Sequence, residues 1–402
     1  MMLGHHGKDP TPPSAAPPRW RVVSALGIAQ ILAWGSSYYL IAVLARPIAA
    51  DTGWSGTWIA GGLSLGFLIS GLVSPKVGRL IDQFGGRRIL SLSAIILALG
   101  MLLLAAAPNP LFYLLAWIVL GIGMGAGLYD PAFAALGRLY GEHARSAITL
   151  TTLFGGFAST VCWPLSQALV TGVGWRGACA TYAAIDILVV LPLYWFGLPA
   201  EVLWAPAAKA DARSSAMPAQ LRWSFWLIAS NAIISAVVMT VISVQLIVLL
   251  QDRGASAAAA VALGALLGPA QVGARLVEML LARSRHPVWT MLAACLLAPL
   301  GLGLMFGAPS LAAAGILLYG AGAGLRSIAR GSVPLAIFGR DGYATMMGRL
   351  AMPALIAQSA APAIGAVLLR SAGPSGTILA MVGLSAVNLL TVVPLLRFAR
   401  RA

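Results

Sequence analysis

The sequence predicts an all-α membrane protein of twelve transmembrane helices arranged as two six-helix bundles. An apolar composition, a series of apolar runs of membrane-crossing length, and segments that recur at one offset together predict it. The 402 residues are 59% hydrophobic and only 9% charged, with a mean hydropathy of +0.88, whereas a soluble domain carries roughly 25% charged residues. A hydrocarbon core of ~30 Å needs roughly 20 helical residues. Runs of that order fall near 22–47, 56–75, 88–107, 111–137, 146–171, 177–197, 223–249, 256–282, 287–307, 310–338, 346–369 and 376–396, numbered here as predicted helices 1 to 12.

The net charge of +15 reports topology rather than a polyanionic ligand. Of the 26 Lys and Arg, Arg46, Arg176, Arg253 and Arg370 fall in the loops of one side and Arg275, Arg326 and Arg330 within helices; the other 19 fall in the tails, the linker and the opposite loops. This bias predicts a bacterial cytoplasmic membrane protein with both termini in the cytoplasm and no nucleic-acid partner. Residues 1–21 read as a cytoplasmic tail without the apolar core of a signal peptide, and His5 and His6 there as solvated. Cys162, Cys179 and Cys295 lack metal spacing and read as packing residues. No metal or cofactor is expected.

Residues 198–222 form the longest polar interruption, so 22–197 and 223–396 read as two bundles joined by a cytoplasmic linker, with 397–402 as a cytoplasmic tail. Arg79-Leu80-Ile81-Asp82 recurs as Arg275-Leu276-Val277-Glu278, 196 residues on. Gly125-Ala126-Gly127-Leu128 recurs as Gly322-Ala323-Gly324-Leu325, and Pro164 is matched by Pro362, at offsets of 197 and 198. Chance matches are common in Ala, Gly, Leu-rich sequence, but a shared register points to a duplicated unit.

The stretch Gly78 to Arg88, G-R-L-I-D-Q-F-G-G-R-R, packs ions that hydrocarbon does not tolerate and must be an aqueous loop between helices 2 and 3. It resembles the signature loop of the major facilitator superfamily, G-x-L-x-D-x-x-G followed by basic residues. The match is at Gly78, Leu80, Asp82, Gly85, Arg87 and Arg88; Gln83 and Gly86 depart from it, standing where the family usually has a basic residue. The resemblance implies two bundles around a central cavity lined by helices 1, 4, 7 and 10, with alternating access by rocking. Asp82 is then placed to pair with nearby arginines or to cap a helix of the other bundle in one rocking state. Gly78, Gly85, Arg87 and Arg88 complete this gate. Arg275 and Glu278 read as its second copy, weaker because the loop glycines and double arginine are lost, so the first copy is expected to dominate.

Buried ions are functional candidates by default. Arg326, near the centre of helix 10, is expected to bind an anionic substrate. Arg330, one turn later, and Asp130 of helix 4 are expected to pair across the bundles or to serve proton coupling. Asp186 in helix 6 reads as a proton site or as a protonated, hydrogen-bonded side chain. Gln30 and Trp34 of helix 1, Tyr129 of helix 4, and Asn231 and Gln245 of helix 7 suit a small polar ligand with an apolar body. The glycines of helices 4 and 10 read as close-packing surfaces.

The expected function is therefore secondary active transport of a small organic solute, an organic anion before other classes, coupled to protons and carried out by a monomer in the lipid bilayer. The alternative is an exporter of drug-like compounds, but the Gly-Pro-x-x-Gly-Gly motif of drug/proton antiporters is absent from helix 5. Gly53-Trp54-Ser55 at the start of helix 2, and Leu139-Tyr140 followed by Arg145-Ser146-Ala147, resemble bacterial monocarboxylate-porter-like members of the family. The helix 8 pattern of an aspartate four residues before an arginine and the helix 1 lysine of those porters are both missing. A polytopic enzyme would need a clustered His/Asp or metal motif, and the four histidines are scattered in tails and loops. A channel would not need duplicated bundles with charges between them.

Overall fold

The computed structural model describes residues 19–200, 219–281 and 285–400. The first 18 residues and most of the expected linker lie outside the described residues. Among the described residues, ten helical stretches are long and apolar enough to cross a membrane. Two of them, Ala144–Gly197 and Tyr343–Ala399, contain 54 and 57 residues, far more than the roughly 20 that one crossing takes. Each is broken at a glycine with positive φ, Gly174 (72°) and Gly373 (67°). Division there gives twelve segments of crossing length.

In order these are α1 (Arg19–Gly35 and Leu40–Thr52), α2 (Gly56–Phe84), α3 (Gly86–Ala105), α4 (Pro110–Gly127 and Tyr129–Tyr140), α5 (Ala144–Gly155 and 158–173) and α6 (175–197). After the linker come α7 (Ala219–Asp252), α8 (Ala257–Ala265 and Leu267–Leu281), α9 (Pro287–Gly307), α10 (Ala312–Phe338), α11 (343–372) and α12 (374–392). Several helices start three or four residues earlier than the apolar runs, because amphipathic turns such as Arg19-Trp20-Arg21 extend them past the hydrocarbon.

The apolar runs did not reveal that α1, α4, α5 and α8 are each interrupted near mid-length. The α4 interruption is an extended residue, Leu128 (φ −82°, ψ −158°). With Pro131, which has no N–H, four residues on, the Gly127 carbonyl is left without a helical partner, and Gln30 Nε2 donates to it at 2.7 Å. Interrupted helices are tolerated at membrane depth where protein groups re-satisfy the backbone.

The glycine runs pack as expected. A Cβ on Gly125 would come within 2.9 Å of the Ser70 carbonyl of α2, and one on Gly324 within 2.4 Å of the Gln271 carbonyl of α8. The α4 to α2 approach is thus repeated as α10 to α8, which is what a duplicated unit predicts. Two apolar cores are built from residues after the linker alone, whereas the two cores of the first six helices also take in Leu335, Tyr343, Ala344, Met347, Ala351 and Leu355. All six lie in the part of α10 and α11 next to the face that carries the Gly78–Arg88 loop. The halves are locked together on that face.

Candidate functional site

Close backbone approach on the loop face comes first from glycine. A Cβ on Gly78 would sit 2.3 Å from the Ala344 carbonyl, and one on Gly348 would sit 2.2 Å from the Ser74 carbonyl. α2 and α11 therefore cross with their backbones nearly touching. This brings Asp82, at the end of α2, to the first turn of α11. Gly342 precedes that turn in the left-handed region and has no side chain to cap it. Asp82 Oδ2 supplies the cap from the other half, accepting from Thr345 N–H at 2.8 Å and Thr345 Oγ1–H at 2.6 Å. Arg138 holds Asp82 from behind, donating to its carbonyl at 2.9 Å and approaching Oδ1 at 3.5 Å. Gly85 takes φ 83° and closes the loop onto the Ile81 carbonyl. Arg87 lies 4.7 Å over the Trp195 ring, and Arg88 is exposed.

The repeat copy makes a different kind of contact. Glu278 Oε1 accepts from Arg145 Nη2 of α5 at 2.7 Å and from Thr290 Oγ1–H at 3.1 Å. Arg275 Nη1 donates to the Thr152 carbonyl of α5 at 2.6 Å, while its other nitrogens reach Ser327 and Gln271. Nearer mid-membrane, Arg330 grips Asp130 with two parallel bonds of 2.7 and 2.6 Å. The α4 interruption puts Asp130 in the first turn of its second segment, where a helix N-terminus favours an anion. Among bonds between described residues, all that join the two halves lie in the loop-face half.

Above these bonds, the first half presents an aromatic wall. Trp34 packs on Tyr38 (5.4 Å between ring centres), Tyr39 (6.2 Å) and Tyr129 (4.9 Å), and Tyr39 packs edge-on to Trp163 at 6.0 Å. Trp163 also lines an open cleft of about 490 Å³ between α1 and α5, with Ala42, Val43, Ser159, Thr160 and Gln167. Gln30 is fully buried behind the wall: its Nε2 serves Gly127 and Tyr194, and its Oε1 accepts from Trp34 Nε1 at 3.2 Å. It orients Trp34 and has no group left for a ligand.

The second half contributes charge. Arg326 is within electrostatic reach of Tyr38 and Tyr319, and its hydrogen-bond partner is the Met239 sulfur. No carboxylate pairs with it among the described residues. Asn231 donates to Cys295, Asn388 and Thr391 inside the second half. Gln245 is buried against Gly365 with its Oε1 unpartnered. Asp186 stands apart from all of these, 0% exposed, in a π-helical turn of α6. Ser36 donates to one of its oxygens at 3.4 Å and the other has no partner.

Sequence reasoning missed Thr345, Arg138 and Arg145 as partners. The one signal for them is an excess of arginines at helix ends near the loop face. It also missed Trp163, which packs on Tyr39.

Comparison with known proteins decides the family. The family model described as Major Facilitator Superfamily matches residues 26–329. The chain belongs to the major facilitator superfamily. Monocarboxylate transporter 13 of Rattus norvegicus is 32% identical over 139 residues, covering 33% of this chain and 31% of the relative. The chain spans less than half the length of the curated relatives it matches. In fold it is similar to the crystal structure of the human organic anion transporter MFSD10 (TETRAN), with TM-score 0.73, 18% identity, and coverage of 94% of this chain and 100% of that one. It is also similar to the superfamily transporter FucP in the outward conformation, with TM-score 0.71, 15% identity, and coverage of 94% and 98%.

Proposed function

We propose that the chain is a secondary active transporter that moves a small organic anion across the cytoplasmic membrane by alternating access. One observation carries the anion reading: Arg326, a guanidinium within electrostatic reach of Tyr38 of the aromatic wall and of Tyr319, has no carboxylate partner among the described residues. A cation in that position is stabilised by an anion arriving from solution. The rings of Trp34, Tyr38, Tyr39 and Trp163 suit its apolar body. The names of the relatives, a monocarboxylate transporter and an organic anion transporter, agree with this class.

By the charge bias, the loop face is cytoplasmic and both ends of the helical array lie there. The bonds of Asp82, Asp130, Arg275 and Glu278 then close the cytoplasmic side, and this is the outward-facing state. Rocking has to break them together. Asp186 is the proposed proton carrier, because its site offers a carboxylate neither a cation nor a strong donor and suits the neutral acid. The transporter works as a monomer, since both halves of the cavity come from one chain.

Uptake of radiolabelled carboxylates into proteoliposomes, with and without an imposed pH gradient, tests this. Arg326→Ala is expected to abolish uptake and Asp186→Asn to remove the response to the gradient. Normal uptake by Arg326→Ala would sink the anion reading.

A further inference from the structure

The Arg326 side chain enters a recess inside the second half, bounded by Ser235 and Met239 of α7, Cys295 of α9, Tyr319 of α10, and Ser385 and Asn388 of α12. The space left for a guest is about 30 Å³. That is room for one or two water-sized groups, an order of magnitude below the roughly 300 Å³ of a small ligand pocket. A whole organic substrate does not fit.

What does fit is set by the wall. Arg326 brings a full positive charge, and the thioether of Met239 is a weak acceptor that carries none. Asn388 is already engaged, donating to Ser235 and accepting from Asn231. Ser385 is only 3% exposed, and its hydroxyl has no partner. A buried hydroxyl without a hydrogen bond is unusual, and each instance calls for an explanation. The described acids of this half are Asp252, Glu278 and Asp341. None lines the recess, and Glu278 is held by Arg145. The recess thus combines an uncompensated cation, an unused donor, and room for one small group.

We propose that this recess is a site for a small monovalent anion of halide or formate size, bound by the Arg326 guanidinium and the Ser385 hydroxyl. The proposal deepens the anion reading above and rests on it. Such an anion has two sources, a free halide or the headgroup of the transported molecule, and the two compete for one place. The body of a substrate stays outside, against the aromatic wall.

The test is thermal unfolding of the purified full-length chain in detergent, titrated with sodium chloride, bromide or formate against sodium gluconate at constant ionic strength. A saturable rise in Tm with the small anions, and none with gluconate, is expected. Arg326→Gln is expected to remove it. Ser385→Ala is expected to weaken the apparent affinity about tenfold, the loss of one hydrogen bond to an ion. Ser385→Asp supplies a resident carboxylate and is expected to raise Tm in gluconate while abolishing the response, which separates an occupied site from a misfolded variant. A response to formate without one to chloride supports the site and assigns it to the headgroup. Equal behaviour of all salts in the parent chain and in Arg326→Gln overturns it. Loss of uptake in Arg326→Ala without any small-anion response overturns the recess and leaves the transport reading standing. Small-anion binding with normal uptake in Arg326→Ala does the reverse.

Discussion

The two copies of the proposed gate, Gly78–Arg88 and Arg275–Glu278, lie 196 residues apart in matching sequence and bond across the loop face by different physics. The first brings backbones together: two glycines let α2 and α11 touch, and a carboxylate then caps a helix that has no cap of its own. The second keeps backbones apart and reaches across with long side chains, an ion pair from Arg145 and a guanidinium on a carbonyl. Duplication preserves where an element sits and leaves free how it bonds. Losing the loop glycines does not by itself weaken the copy, because charge can replace close approach.

The largest effect is therefore expected at Glu278, against the ranking that the motif alone suggests. Its pair with Arg145 is largely buried, with side-chain exposures of 18% and 6%. Removing one partner of such a pair costs about 3 kcal/mol. Glu278→Gln should shift the population away from the closed loop face by about 100-fold, read from spin-label distances between the loop-face ends of α4 and α10. Gly78→Ala comes next. Its Cβ would meet the Ala344 carbonyl at 2.3 Å, and overpacking of this kind costs about 2 kcal/mol, a shift of about 30-fold in the same measurement. Asp82→Asn follows with about 1 kcal/mol, because the amide oxygen still accepts from Thr345 while the charge and the Oδ1 contact with Arg138 are lost. If Asp82→Asn outdoes Glu278→Gln, the first copy dominates the gate after all.

The smallest effect concerns pH and only the second copy. His286 caps α9, its Nδ1 accepting from Val288 N–H at 3.3 Å. Burial, and then the nearby Arg145 charge, hold its imidazole below the ordinary value of 6.5. The unfolded chain thus takes up this proton first as pH falls. The stabilising contribution is complete above 6.5 and is lost as pH drops through 6.5 toward the lowered value. Tm should fall slightly over that window in the parent chain and stay flat in His286→Asn.

How much of this was legible in the sequence depended on whether a residue announces its partner. The helix runs and the loop follow from composition and spacing, and the loop's motif carries the resemblance to the family. Asp82 and the arginine pair at 87 and 88 stand out because ions are rare in this chain, and the 196-residue offset points from them to Arg275 and Glu278. Asp130 and Arg330 could be matched across the halves because each is a charge within an apolar run in need of a partner. Thr345 could not be found this way, since it is uncharged and contributes a backbone N–H that every residue but proline carries and a hydroxyl that many residues of this chain carry. The interruption of α4 was legible but passed over: Pro131 has no N–H for the Gly127 carbonyl four residues back and its ring crowds that carbonyl, so the helix breaks at Leu128. Gln30 illustrates the opposite error, in that a polar residue on a cavity helix invites a ligand role until its three bonds are counted.

The repeat has one more consequence. Were the six-helix unit to assemble as a symmetric pair of identical chains, each wall of the cavity would be an exact copy of the other. A guanidinium on one side would bring a second guanidinium to face it, and an aromatic wall would face another aromatic wall. Joining the two units in one polypeptide breaks that symmetry. Trp34, Tyr38 and Tyr39 then stand in the first half and Arg326 in the second, and under the proposed anion reading a guest with one apolar end and one charged end has a single preferred orientation.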